Sequence, residues 1–233
     1  MLIDELKNIA RNNGIVGAGG AGFPAYAKMT EKADTVILNC VECEPLLKLH
    51  RQLLATHTEE IIQMLDEVRE SFGAKEAVIG IKSEYVTTIK AIEEVIGDFP
   101  NVRICALKAA YPMGDEVVLI YEATGRVIKP GGLPIDENVV VYNVETMYNL
   151  YRAVHLNIPV TNKLVSIVGE IDHPLTVRVP LGTTVKEAIS LAGKITVEDP
   201  AYVMGGPMMG RLGTENTVIT KTTNAIIILP QDH

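Results

Sequence analysis

The sequence predicts an α/β protein, with a parallel-sheet domain over residues 1–160 and a small α+β domain over residues 161–233. Three observations predict it. From Thr35 onward, apolar runs of strand length alternate with helices that carry one apolar face, the pattern of parallel strands joined by helical crossovers. Several of those runs end in polar or glycine-bearing clusters, and in open α/β sheets ligands bind at the carboxyl ends of the strands. Beyond Pro159–Asn162 the alternation stops, and strand signals gather around a single short helix.

The elements follow in order. Leu2 to Asn12 reads as a helix, because Leu2, Ile3, Leu6, Ile9 and Ala10 fall near one face and Gly14 is placed to cap its end. Thr35 to Asn39 is a buried strand. Leu46 to Leu54 and Thr58 to Phe72 read as helices. In the second of them Ile61, Ile62, Leu65 and Val68 face the core, and Glu59, Glu60, Asp66, Glu67 and Glu70 form a solvated face. Ala77 to Ile81 is a strand, Tyr85 to Ile96 a helix, Val102 to Leu107 a strand, and Asp115 to Ala123 a helix ended by Gly125. Lys129 to Pro134 is too rich in Gly and Pro for regular structure. Val139 to Tyr142 is the fourth strand, and Asn143 is the expected N-cap of a helix running to about His155.

In the second domain, Leu164 to Val168 and Thr176 to Val179 flank a turn at Asp172–Pro174, and Thr183 or Thr184 caps a helix through Leu191. Strands are expected at Ala201 to Met204, Thr217 to Thr220 and Ala225 to Leu229. The Gly205–Gly210 loop contains no titratable group, so it reads as a packing turn rather than a ligand site.

The stretch Ile15–Pro24 carries the strongest chemical signal. Gly17, Gly19, Gly20 and Gly22 leave a backbone able to approach a ligand closely, and successive free amides in such a loop form an anion site. Pro24 suits the first turn of a following helix, from which Lys28 would reach back to a phosphate. The spacing Gly17-x-Gly19-x-x-Gly22, with Glu42 twenty residues further on, also fits a dinucleotide fingerprint. That fingerprint must follow a buried strand, whereas here a helix precedes it, so a phosphate-gripping loop is the better reading.

Composition narrows the classes. With 47% apolar residues a substantial core can be buried, and a formal charge of −8 without a basic stripe argues against nucleic acid as a partner. No apolar run is long enough to span a bilayer, the amino terminus lacks a signal-peptide pattern, and three cysteines fit a reducing cytoplasm. Cys40-Val-Glu-Cys43 has the spacing of a redox pair, but Glu42 between the thiols opposes thiolate formation. Three cysteines cannot hold a four-cysteine cluster, Cys105 is expected in the core, and no metal site is expected. His50, His57 and His155 lack metal-ligand spacing and read as structural. Glu42 and Glu44 alternate with Cys43, so in an extended segment both carboxylates would point to one side.

The motifs Gly17–Pro24 with Lys28, Asn39-x-x-Glu42-Cys43-Glu44-Pro45, Tyr111-Pro-x-Gly-Asp-Glu116 and Asn143-Val-Glu-Thr146 occur in this order in the chain. Together they resemble the flavin subunits of respiratory NADH dehydrogenases. The chain is more similar to the C subunit of the Rnf electron-transfer complex, and more so to the cobalamin reductase of propanediol utilisation and the proline-reductase-associated electron-transfer protein. The resemblance implies an FMN-binding domain followed by a β-grasp domain of the soluble-ligand-binding type. It implies that Gly17, Gly19, Gly20 and Lys28 hold the FMN phosphate and ribityl region, and that Asn39, Glu42, Tyr111, Gly114, Asp115, Asn143 and Thr146 line the flavin. Phe23 and Glu44 would meet NADH, and Glu116 would lie where nicotinamide meets flavin. Tyr142 stands where respiratory relatives carry a second Asn.

The expected function is therefore a cytoplasmic flavoprotein module that oxidises NADH through FMN. It would pass electrons to an Fe–S centre on a C-terminal region beyond this sequence or on a partner protein, and could sit peripherally on a membrane complex. The alternative, from another class, is a non-catalytic β-grasp module that binds a ligand or a partner such as a corrinoid enzyme.

Overall fold

The computed structural model describes residues Met1–Asp232. It divides into two compact units. The first comprises Met1–Gly17, Phe23–Cys43 and His50–Pro159; the second comprises Ala18–Gly22, Glu44–Leu49 and the chain from Val160 onward. Two short segments of the amino-terminal half, the glycine loop and the stretch after Cys43, thus belong with the second unit.

The first unit opens with α1 (Ile3–Asn12), whose Ile3, Leu6 and Ala10 are buried, and a 3-10 turn at Ala25–Lys28. Strand β1 (Thr35–Cys40) follows, then α2 (Leu49–Thr56), α3 (Thr58–Phe72), β2 (Glu76–Lys82), α4 (Val86–Val95) and β3 (Val102–Leu107). Helix α5 (Glu116–Thr124), strand β4 (Val139–Asn143) and helix α6 (Val144–Leu156) complete it. The four strands pair in parallel in the order β3-β2-β1-β4. Ile37, Val78, Val139 and Val141 pack against Leu119, Ile120 and Ala123 of α5. Helices α3 and α6 pack on β1 and on each other at the opposite face. Covered on both faces, β1, β2 and β4 are largely apolar rather than alternating, whereas the edge strand β3 is partly exposed and carries Arg103. Gly80 of β2 carries no side chain because a Cβ there would meet Leu119.

In the second unit β5 (Asn162–Gly169) pairs antiparallel with β6 (Leu175–Pro180) and parallel with β9 (Ala225–Pro230). Strand β7 (Pro200–Met204) joins β9 antiparallel and carries β8 (Arg211–Gly213) at its edge, and helix α7 (Val185–Ser190) lies between β6 and β7 in the chain. Val165, Ile167, Val185, Ala188, Ile189, Ile226 and Ile228 form its core.

Three expectations about local structure are corrected. Helix α2 begins at Leu49 rather than Leu46, because Leu46 adopts a left-handed conformation (φ 67°) that breaks helical continuity. No α-helix follows Pro24; the chain makes one 3-10 turn instead. Thr217–Thr220 makes only an isolated bridge, Thr184 to Val218. Here the Thr217 and Thr223 hydroxyls accept from the amides of Thr214 and Thr220, and such local side-chain bonds compete with a sheet ladder.

Thr184 is the N-cap of α7: its hydroxyl accepts from the Glu187 amide at 3.2 Å, and the Glu187 carboxylate accepts from the Thr184 amide at 2.8 Å. Thr184→Ala removes half of this capping box and should destabilise the protein by about 1 kcal/mol. Urea unfolding should show the loss as a lower midpoint at unchanged slope.

Candidate functional site

The parallel register of the first sheet sets Asn39, near the end of β1, directly opposite Asn143, the last residue of β4. In the strand order β3-β2-β1-β4, the crevice between β1 and β4 is where the order of connections reverses. That is the position at which open α/β sheets bind ligands.

Around Asn39 the polar groups build the edge itself. The Asn39 amide donates to the Gly114 carbonyl at 3.0 Å, and its carbonyl oxygen accepts from the Val41 amide at 3.0 Å. The Gly114 amide in turn donates to Cys43 Sγ at 3.1 Å. A Cβ on Gly114 would collide with the Val41 carbonyl and with Cys43 Sγ, so the loop after β3 closes on the end of β1 only with glycine there. Asp115 caps α5, accepting from the amides of Val117 and Val118 at 3.0 and 3.3 Å. Tyr111, earlier in the same loop, is exposed.

On the other side of the crevice Asn143 caps α6, its carbonyl oxygen accepting from the Glu145 amide at 2.9 Å. Its amide nitrogen faces the His50 ring, 3.3 Å from each ring nitrogen. The His50 backbone amide donates to Glu42 Oε1 at 3.0 Å, and its ring Nδ1 lies 3.8 Å from the same oxygen. Glu42 is buried, and its Oε2 is without a hydrogen-bond partner among the described residues. Burial pushes the Glu42 carboxyl above its ordinary value of 4.5, against the opposing pull of the His50 and Arg51 amides and of the Arg51 and Lys82 charges. The Tyr85 hydroxyl donates to the Glu42 carbonyl at 3.4 Å, and burial pushes that phenol up to about 12. His50 reads as structural from its lack of metal-ligand spacing; its place between Glu42 and Asn143 has no local sequence signal.

Cys40 is fully buried, and burial, with the Glu42 charge second, drives its thiol well above the ordinary range. That environment disfavours a reactive thiolate. Cys105, expected in the core, is only half-buried and packs beside the apolar cluster under α5.

The glycine stretch is anchored in the first unit at both ends. Val16 and Pro24 form an isolated bridge, the Gly17 amide donates to the Phe23 carbonyl at 2.7 Å, and the Thr146 hydroxyl donates to the Val16 carbonyl at 3.4 Å. The Gly17 amide therefore closes the loop. Gly20 and Gly22 sit at φ 125° and 68°, conformations that favour glycine. Lys28 Nζ donates to Glu116 Oε1 at 3.2 Å and to the Val141 carbonyl at 3.3 Å, and stands 5.9 Å from the Phe23 ring centroid. Two residues expected in separate roles thus meet. Phe23 is half exposed, so its ring is not core. Tyr142 is buried with its hydroxyl donating to the Ala25 carbonyl at 3.3 Å, so it supports the 3-10 turn.

Glu44 and Glu42 have different partners. Within the second unit its carboxylate accepts from the Met208 amide at 2.8 Å and the Met209 amide at 2.9 Å. Gly206 lies so close that any Cβ would run into that carboxyl. The Gly205–Gly210 turn, expected only to pack, is a receptor for this side chain.

Residues 10–152 match the Nuo51 FMN-binding domain family, and residues 164–212 match the SLBB domain. Cobalamin reductase PduS of Citrobacter freundii is 40% identical over 98% of this chain and 50% of its own length. The C subunit of the Na+-translocating ferredoxin:NAD+ oxidoreductase complex of Acetobacterium woodii is 31% identical over 98% of this chain and 53% of its own. This chain thus spans about half the length of the curated relatives it matches. A chain of an NAD+-reducing NiFe hydrogenase in its H2-reduced state shares the fold, with a TM-score of 0.78 at 20% identity over 99% of this chain and 47% of that one.

The Glu42 environment has a consequence for stability. A carboxyl whose folded value is raised contributes stability below its unfolded value, and that contribution is lost as pH rises through the folded value. The parent should therefore lose stability relative to Glu42→Gln as pH rises from about 4.5. Urea midpoints of the two proteins measured across that window test it; parallel curves would contradict the burial of an ionisable carboxyl.

Proposed function

The chain belongs to the Nuo51 FMN-binding domain family, followed by an SLBB domain, and from that premise we propose that it is a flavoprotein electron-transfer module that oxidises NADH. The observation that carries the proposal is the switch point between β1 and β4, whose register sets Asn39 opposite Asn143, with a buried carboxyl keeping one open oxygen just beyond β1. The residues present there fit a flavin. Asn143 offers polar atoms suited to the ring's carbonyls and imide with Glu42 behind it across the His50 ring, Gly114 leaves the edge without a side chain, and Lys28 supplies a cation suited to a phosphate.

Bound FMN supplies the chemistry, accepting a hydride and releasing electrons singly. The residues of this chain bind and orient. Asn39 and Asp115 act by shaping the loops after β1 and β3, and Tyr111 presents an exposed ring on the second of these. Thr146 anchors the glycine stretch through Val16. Lys28, now paired with Glu116, would exchange that partner for phosphate oxygens, freeing Glu116 for the nicotinamide side, with Phe23 as the exposed ring for stacking. Gly17 shapes the loop; Gly19, Gly20 and Glu44 take their phosphate and ribose roles from the motif pattern alone. The electron acceptor we propose is an Fe–S centre on a partner or on a further part of the natural protein.

Purified protein loaded with FMN should be yellow and should bleach on anaerobic addition of NADH. A protein that stays colourless after incubation with FMN would overturn the flavin reading and favour a binding module instead.

Lys28→Ala removes one charge-assisted contact to phosphate, about 1.5–3 kcal/mol, so FMN should bind roughly 10- to 100-fold more weakly. Far-ultraviolet dichroism should stay unchanged. Equal flavin retention by variant and parent would remove Lys28 from the site.

A further inference from the structure

Glu42 is a buried carboxyl just beyond the end of β1. One oxygen is fixed by the His50 amide, and the other is buried and open among the described residues. Charged and titratable groups face it from several elements. Arg51 of α2 and Lys82 of β2 favour the carboxylate, burial favours the acid, Cys40 of β1 is a neutral buried thiol, and Tyr85 donates to the backbone carbonyl. The His50 ring stands between Glu42 Oε1, 3.8 Å away, and the Asn143 amide, 3.3 Å away. Glu42 thus lies one ring removed from the crevice.

Resting on the reading that FMN occupies this crevice, we propose that Glu42 takes up a proton from solvent when the flavin is reduced. The balance is simple. Hydride transfer converts NADH and FMN to NAD+ and a singly protonated, anionic reduced flavin. The added negative charge raises the affinity of the nearby carboxylate for a proton, and one solvent proton binds Glu42 to give the neutral acid. When electrons leave, that proton returns to solvent along with the one on the flavin. The open, buried Oε2 is where the proton is held, because Oε1 already accepts from the His50 amide.

Anaerobic redox titration of the FMN-loaded protein across the neutral pH range tests this. The parent should take up two protons per two electrons, and Glu42→Gln only one. The variant's equilibrium constant then changes tenfold less per pH unit, a slope shallower by about 30 mV for a two-electron couple. His50→Gln should keep the second proton, because the carboxyl that holds it remains. Infrared difference spectra on reduction should show a carboxylic C=O band in the parent that is absent in Glu42→Gln. Should that variant fail to retain FMN, a shift of the band in Glu42→Asp decides the same point.

Equal slopes in parent and Glu42→Gln overturn the proposal, as does loss of the second proton in His50→Gln alone, which would put it on the imidazole. A parent that binds no FMN overturns the flavin reading first, and this proposal with it. A parent that binds FMN but shows the shallower slope overturns only this one.

Discussion

The parallel pairing of β1 with β4 is the constraint on which the candidate site depends. Its register places Asn39 opposite Asn143, and the strand order makes their shared edge the point where the connections diverge. A slip of one residue would turn every side chain of β1 to the opposite face. It would send Ile37 away from the apolar cluster under α5, where it is fully buried. Core burial therefore specifies the position of two polar side chains that contribute nothing to the core.

The edge so formed is assembled mostly from polar groups already engaged with one another. Asn39 holds Gly114, Gly114 holds Cys43, Asp115 caps α5, and Asn143 caps α6 while facing His50. These bonds leave the backbone of the crevice with little freedom, which favours precise placement of a bound ring. Glu42 differs from its neighbours. It is buried beside the crevice with an oxygen left open among the described residues, and burying a polar group without a partner is costly. Retaining it there is the kind of local conflict expected at functional rather than structural positions.

Much of the architecture is legible in the residues. β3 and the long helix α3 have the bounds that periodicity and glycine stops predict. Asn143, Asp115 and Thr184 are found at helix starts, and Gly73 and Gly125 at helix ends. These signals are local: a side-chain oxygen reaching an amide two or three residues on, or a left-handed residue that only glycine adopts cheaply. The failures share the opposite cause. Alternation places Glu42 and Glu44 on one side of an extended strand, but the chain leaves β1 at Cys40 and the two carboxylates find partners in different units. The Gly205–Gly210 turn reads as a packing turn because its partner, Glu44, lies more than 160 residues away in sequence.

By itself the sequence determined the alternation of strands and helices, the caps, the glycine stretch and the set of motifs that mark the family. It did so because each rests on hydrogen bonds and side-chain periodicity within a few residues. Only the tertiary structure decided that Lys28 meets Glu116, that His50 stands between Glu42 and Asn143, and that Glu42 keeps one oxygen open. Such pairings join positions separated by as many as 93 residues, and whether a carboxyl is buried depends on which strands and helices cover it rather than on its neighbours in the chain.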